Sequence, residues 1–115
     1  MVPTERWTAI MYQLRIYTLR SREALDRYAA VHWTRHIASL LAFGVATHGI
    51  WTERDGNTHR LITLVEFKDG VDPTNLTTEY MTSSEFQTDM DGFDPQDIIG
   101  VDTVLLDPTR SSPIH

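Results

Sequence analysis

One run, Leu61-Ile62-Thr63-Leu64-Val65, constrains the fold more than any other stretch of the chain. It is rich in β-branched residues and apolar at positions of both parities. A strand of that kind must be covered on both faces, so it belongs in the middle of a sheet. Its reach is His59 to Phe67. Upstream, Val45 to about Glu53 reads as its hairpin partner, with Arg54-Asp55-Gly56-Asn57 as the turn.

The other elements follow from changes of period. Met11 to Thr18 alternates, placing Tyr12, Leu14 and Ile16 on one face and Gln13, Arg15 and Tyr17 on the other. Ser21 is a capping residue for a helix running from about Arg22 to about Phe43 and stopping at Gly44. A second helical region starts near Asp72-Pro73, followed by a short helix around Phe86 and a last strand from Ile98 to Leu106.

The order β-α-β-β-α-β predicts an α+β, ferredoxin-like sandwich, with a four-stranded antiparallel sheet and helices on one face only. The domain is expected over residues 11–108, with an N-terminal arm at 1–10 and a polar tail at 109–115. The uncovered face of so apolar a sheet predicts a homodimer that stacks sheet on sheet.

Composition narrows the partners. With Asp+Glu 16 against Lys+Arg 10, the 115-residue chain carries −6. It has no electrostatic footprint for nucleic acid or for anionic membranes. Cysteine is absent, which removes disulfides and thiolate chemistry. No apolar run approaches the length of a membrane span, and the expected setting is cytoplasmic.

The first helix carries the chemistry. On a regular wheel with Leu25 at zero, His36 falls about 20° to one side and His32 about 20° to the other. Ala29 and Leu40 sit on one flank, Tyr28 and Ser39 on the other. Arg27, Thr34 and Leu41 point outward. Two imidazoles at the centre of a core-facing stripe need partners. One reading is a pocket between helix and sheet, with His32 or His36 as general base or acid. The alternative is that both only fill space and bond to backbone.

A metal shared by the pair is a weaker option. His32-Trp33-Thr34-Arg35-His36 lacks the glutamate of zinc-protease helices, and a third ligand would have to be His48 or His59. Haem on one histidine is the other cofactor possibility; otherwise no cofactor is expected. No nucleophile elbow surrounds Ser39. Asp89, Asp91 and Asp94 lack the spacing of a calcium loop and read as a solvated acidic turn.

Further pocket candidates lie on the strands and the helix flank. Arg15 and Tyr17 share a face, where Arg15 would bind a carboxylate or enolate oxygen unless it pairs with Glu66 or Glu53. Tyr28 flanks the histidines. His48 and Ile50 share one face of the second strand, Trp51 the other, and His48 and Trp51 are candidates for contact with substrate. Tyr12 and Tyr80 read as core.

Several of these segments resemble the NIPSNAP family. They are Tyr12-x-Leu14-Arg15-x-Tyr17-Thr18-Leu19-Arg20, Gly44-Val45, Gly49-x-Trp51-Thr52-Glu53, the strand His59–Phe67, Ser84-x-Phe86 and Leu105-Leu106-x-Pro108. The stretch His32–His36 is similar to EthD-like relatives that share the fold. The resemblance implies a dimeric α/β barrel. That wider superfamily holds cofactor-free oxygenases, haem-degrading enzymes, polyketide cyclases and muconolactone isomerases, often with a histidine base between sheet and helices. A small-molecule cyclase, isomerase, lyase or oxygenase of secondary metabolism or catabolism is therefore implied, with a small-ligand or haem-binding module as the alternative. The NIPSNAP family itself has no single agreed reaction, and fold alone does not supply one. The asparagine–tryptophan–histidine set of the haem-degrading members is not evident here, and the loop near Asp55-Gly56-Asn57 lacks the family's common proline.

Overall fold

The computed structural model describes residues 10–114. Apart from Ile10, the expected N-terminal arm lies outside the described residues. Four strands form one antiparallel sheet in the order β2-β3-β1-β4. They are β1 (Met11–Leu19), β2 (Ala46–Thr52), β3 (His59–Phe67) and β4 (Ile98–Leu106). As the apolar run predicted, β3 is central, and β1 lies beside it. Helices α1 (Arg22–Arg27), α2 (Trp33–Ala42), α3 (Pro73–Met81) and α4 (Ser84–Asp89) cover one face. The α+β, ferredoxin-like expectation holds.

Register decides which residues meet the helices. Directly paired residues share a face. Arg15 pairs with Thr63 on β3 and Thr103 on β4; Tyr17 pairs with Leu61 and Val101. These residues, with Leu19, Val65 and Phe67, face the helices. Leu19, Leu61, Val65 and Phe67 are at most 1% exposed. Burying a side chain of that size stabilises by roughly 1.5–3 kcal/mol, so this layer anchors the sheet to the helices. The opposite face carries Leu14, Ile16, Ile62 and Leu64, half-buried, with Trp51, Val104 and Leu106 exposed.

Local chemistry sets the ends. The Ser21 hydroxyl accepts the Ala24 N–H at 3.0 Å, as expected of a cap. Asp72 accepts from Thr74 and Asn75, and Ser83 from Phe86. Gly44 ends α2 at φ +91°, where an L side chain is strained.

The first helix departs from expectation. Rather than one regular helix from Arg22 to Phe43, α1 and α2 are joined by a π-turn, Tyr28–His32, with right-handed helical dihedrals at Tyr28, His32 and Trp33. The Trp33 N–H bonds to the Tyr28 carbonyl, five residues back. One extra residue in the turn shifts everything beyond it. Trp33, which a regular wheel sets about 80° off the stripe, becomes 1% exposed. Tyr28 and Trp33 are then both buried and pack edge to face, with ring centroids 6.5 Å apart.

A second departure lies in β2. Thr47 pairs with Val65 and Gly49 with Leu64, so His48 is an extra residue in a β-bulge. The bulge turns His48 to the open face, where it bonds Glu66 at 2.6 Å and packs on Tyr12. Ile50 stays on the helix face opposite Thr63. His48 therefore sits with Trp51, not with Ile50 as simple alternation predicted. The same segment explains its glycine. A Cβ at Gly49 would lie 2.1 Å from the Trp51 indole, which rests on the bare backbone.

Candidate functional site

A cavity of about 340 Å³ opens between the sheet and α2, α3 and α4. Its lining includes Arg15 and Tyr17 from β1, Tyr28 and Trp33 around the π-turn, His36 from α2, Thr77 and Tyr80 from α3, and Phe86 from α4. Four sequence candidates, Arg15, Tyr17, Tyr28 and His36, thus meet at one place. His48 and Trp51 lie across the sheet and do not join them.

The two histidines part company. His32 is fully buried and does not line the cavity. Its Nδ1–H donates to the Asp89 carbonyl at 2.8 Å, and its Nε2 has no partner among the described residues. Its ring packs edge-on to Phe93 at 5.0 Å. It pins the end of α4 and has no open side.

His36 reaches the cavity wall. Its ring is stacked 5.8 Å from Phe86 and edge-on to Trp33 at 5.2 Å. Its Nδ1 bonds to the Tyr80 hydroxyl, and Tyr80 donates to Asp89 Oδ2 at 2.5 Å. These contacts fix the tautomer. Tyrosine has one hydroxyl proton and a carboxylate only accepts. The tyrosine proton goes to Asp89, so the tyrosine oxygen must accept from His36 Nδ1–H. The lone pair is left on Nε2, which has no hydrogen-bond partner among the described residues.

Burial pushes the His36 imidazole down from 6.5 to about 4; the Asp89 carboxylate opposes that shift, while His32 and Arg15 add to it. At neutral pH the ring is an uncharged proton acceptor. Burial, and then the Asp89 carboxylate, raise Tyr80, so its hydroxyl keeps its proton. Burial likewise raises Tyr28 well above its ordinary value. The result is an aspartate–tyrosine–histidine chain that orients an imidazole and leaves one nitrogen unprotonated at neutral pH.

Asp89 corrects the sequence reading. It is not part of a solvated turn but 6% exposed, at the end of α4. Two residues of the His32–His36 stretch hold its backbone. His32 bonds its carbonyl, and Arg35 Nη1 reaches the carbonyls of Asp89 and Asp91 at 3.2 Å each. Tyr80, read only as core, is buried and lines the cavity as well.

Arg15 is 6% exposed. Its Nε donates to Gln13 at 2.7 Å and one Nη to the Thr77 hydroxyl at 3.3 Å. The carboxylates considered for it are elsewhere. Glu66 is opposite Tyr12 on the open face and Glu53 pairs with Arg60.

No cluster of three His, Asp or Glu side chains among the described residues is placed to hold a metal ion. His48 lies across the sheet from the pair and cannot supply a third ligand. No helix among the described residues is long and apolar enough to cross a membrane.

The sequence pattern of the NIPSNAP family matches residues 12–113, nearly the whole chain. The chain belongs to the NIPSNAP family. Solved NIPSNAP relatives share its fold. One from Agrobacterium tumefaciens, described as having unknown function, is 17% identical with a TM-score of 0.75, covering 93% of this chain and 95% of its own. Another NIPSNAP-like protein, from Burkholderia xenovorans, is 21% identical at a TM-score of 0.72, covering 91% and 90%. A candidate antibiotic biosynthesis monooxygenase from Caulobacter crescentus is 8% identical, with a TM-score of 0.52 over 88% and 91%. At these identities the likeness is one of fold. No curated protein matches the sequence. Within this NIPSNAP chain, the Gly49-x-Trp51 motif is an indole laid on a glycine, and the Arg15 of the opening strand motif faces the cavity.

Proposed function

We propose that this NIPSNAP protein is a small-molecule enzyme that uses His36 Nε2 as an acid/base group without a cofactor. The carrying observation is the Asp89–Tyr80–His36 chain on the wall of a cavity of about 340 Å³, within the size range of small-ligand sites. The proton acceptor takes a proton from an acidic carbon or hydroxyl of the bound molecule. Tyr80 and Asp89 then stabilise the imidazolium through Nδ1–H. Cyclisation, isomerisation, elimination and cofactor-free oxygenation all begin with such a step. His32 positions Asp89 rather than acting itself. The working form is a homodimer joined through the open sheet face, on which Trp51, Val104 and Leu106 are exposed; sedimentation velocity checks this.

The test is deuterium exchange. Phenylpyruvate, phenylacetone and acetylacetone are incubated with the protein in D₂O, and loss of their acidic C–H signals is followed by proton NMR. At least one should exchange faster with the wild-type protein, and His36→Phe should remove the acceleration. No acceleration, or acceleration that survives His36→Phe, sinks the acid/base reading. Ligand binding with no exchange would point to a binding module instead.

A further inference from the structure

A buried cation without a carboxylate is the feature that remains unused. Arginine stays protonated in proteins, and removing its charge from water is costly unless an anion lies against it. Arg15 is 6% exposed, yet it makes no ion pair among the described residues. Its cross-strand neighbours on the helix face are two threonines, Thr63 and Thr103. Its hydrogen bonds go to the neutral Gln13 and Thr77. These use two of the five N–H donors, and Arg15 itself lines the cavity. The Asp89 carboxylate makes no ion pair with it and bonds Tyr80 instead.

The cavity has two kinds of wall. Gln13, Arg15 and Thr77 form a hydrogen-bonded polar patch. Around His36 the wall is aromatic, with Tyr28, Trp33 and Phe86 rings 5.2–6.1 Å from the imidazole by centroid. A ligand that satisfies both is an anion at one end and a ring or unsaturated chain at the other.

We infer that the cavity selects small aromatic or unsaturated carboxylic acids, with Arg15 binding the carboxylate. A guanidinium with free donors matches a carboxylate in geometry as well as charge. Long-range attraction cannot supply the preference, because the chain carries −6 and repels anions at a distance. The selectivity therefore rests on the one buried group. This inference deepens the proposed function by naming the substrate class of the same site, but it concerns binding and does not need His36.

The experiment is calorimetric titration at neutral pH with matched pairs. Benzoate, phenylacetate and cinnamate are each compared with the corresponding primary amide, which keeps the shape and removes the charge. The wild-type protein should bind at least one acid roughly ten- to a hundredfold more tightly than its amide, the range for a desolvated charge-assisted contact. Arg15→Gln should bring that ratio close to one by weakening the acid and not the amide. Arg15→Lys, which keeps the charge but not the fork, should retain an intermediate preference, and it serves as the folded control if the glutamine variant loses its circular dichroism. The inference is overturned if no acid is preferred over its amide, or if the preference survives in Arg15→Gln. It is equally overturned if Arg15→Lys matches the wild-type ratio in full. Failure here, with ketone exchange intact, removes the substrate class and leaves the acid/base reading standing. Acid preference without exchange does the reverse.

Discussion

One buried ring adds to the loss of stability in acid. In the unfolded chain His36 titrates near its ordinary 6.5, while burial in the folded protein holds it at about 4. Between those values the unfolded state binds the extra proton and the native state does not, so stability falls as the pH falls. The contribution is fully present above about 6.5 and is lost progressively down to about 4. At about 1.36 kcal/mol per pH unit of difference, integration gives a loss from this ring of about 1.4 kcal/mol at pH 5.5 and about 2.5 kcal/mol at pH 4.5. The perturbation is His36→Gln, which keeps a polar side chain and removes the titration. Urea unfolding of both proteins at pH 7, 5.5 and 4.5, at one protein concentration, isolates the ring from the general acid effect on carboxylates. With a urea slope of about 1.3 kcal/mol per M, the wild-type midpoint should fall relative to the variant by about 1 M at pH 5.5 and about 2 M at pH 4.5. Parallel loss of stability in the two proteins would refute the buried, singly bonded imidazole.

Two further outcomes follow from the same contacts. In Asp89→Asn the carboxylate that supports the imidazolium is gone, so His36 should titrate below its wild-type position; nitrogen-15 NMR of the ring reads this, and an upward move contradicts the relay. Gly44→Ala meets only Lys68 side-chain carbons at 3.9 Å, so its cost is the backbone at φ +91° alone; about 1–2 kcal/mol should be lost in urea unfolding, and no loss would mean that the α2 terminus relaxes.

Most of the architecture was legible because period-2 and helical patterns are written in single residues. The apolar β3 run, the Ser21 cap and the Gly44 stop all did what their chemistry dictates. The site was legible in part. Arg15, Tyr17 and Tyr28 could be placed by counting along regular elements, whereas His36 lies beyond the π-turn, where a regular count no longer holds. His48 could not, because a bulge inserts one residue without any signature in side-chain type. Asp89 and Tyr80 could not either. They are 9 residues apart on two short helices, and only tertiary packing joins them through a hydroxyl and a carboxylate. The aspartates at 89, 91 and 94 look alike in sequence; what distinguishes the first is His32, which bonds its carbonyl, and Tyr80, which bonds its carboxylate.

The π-turn has a consequence for how such a protein can change. Its surplus residue acts as a phase setting between the two halves of the helix. Closing the turn to the ordinary pitch with its surplus residue kept would rotate the half carrying Trp33 and His36 by about 100°. The imidazole would leave the cavity although no contacting side chain had been replaced. Closing it by deleting one of Ala29, Ala30 or Val31 would instead keep that half in phase, so the segment can shed a residue without turning the site. Relatives that have lost or gained chemistry on this fold are therefore best compared first by helix length across this segment, before residue identity is considered.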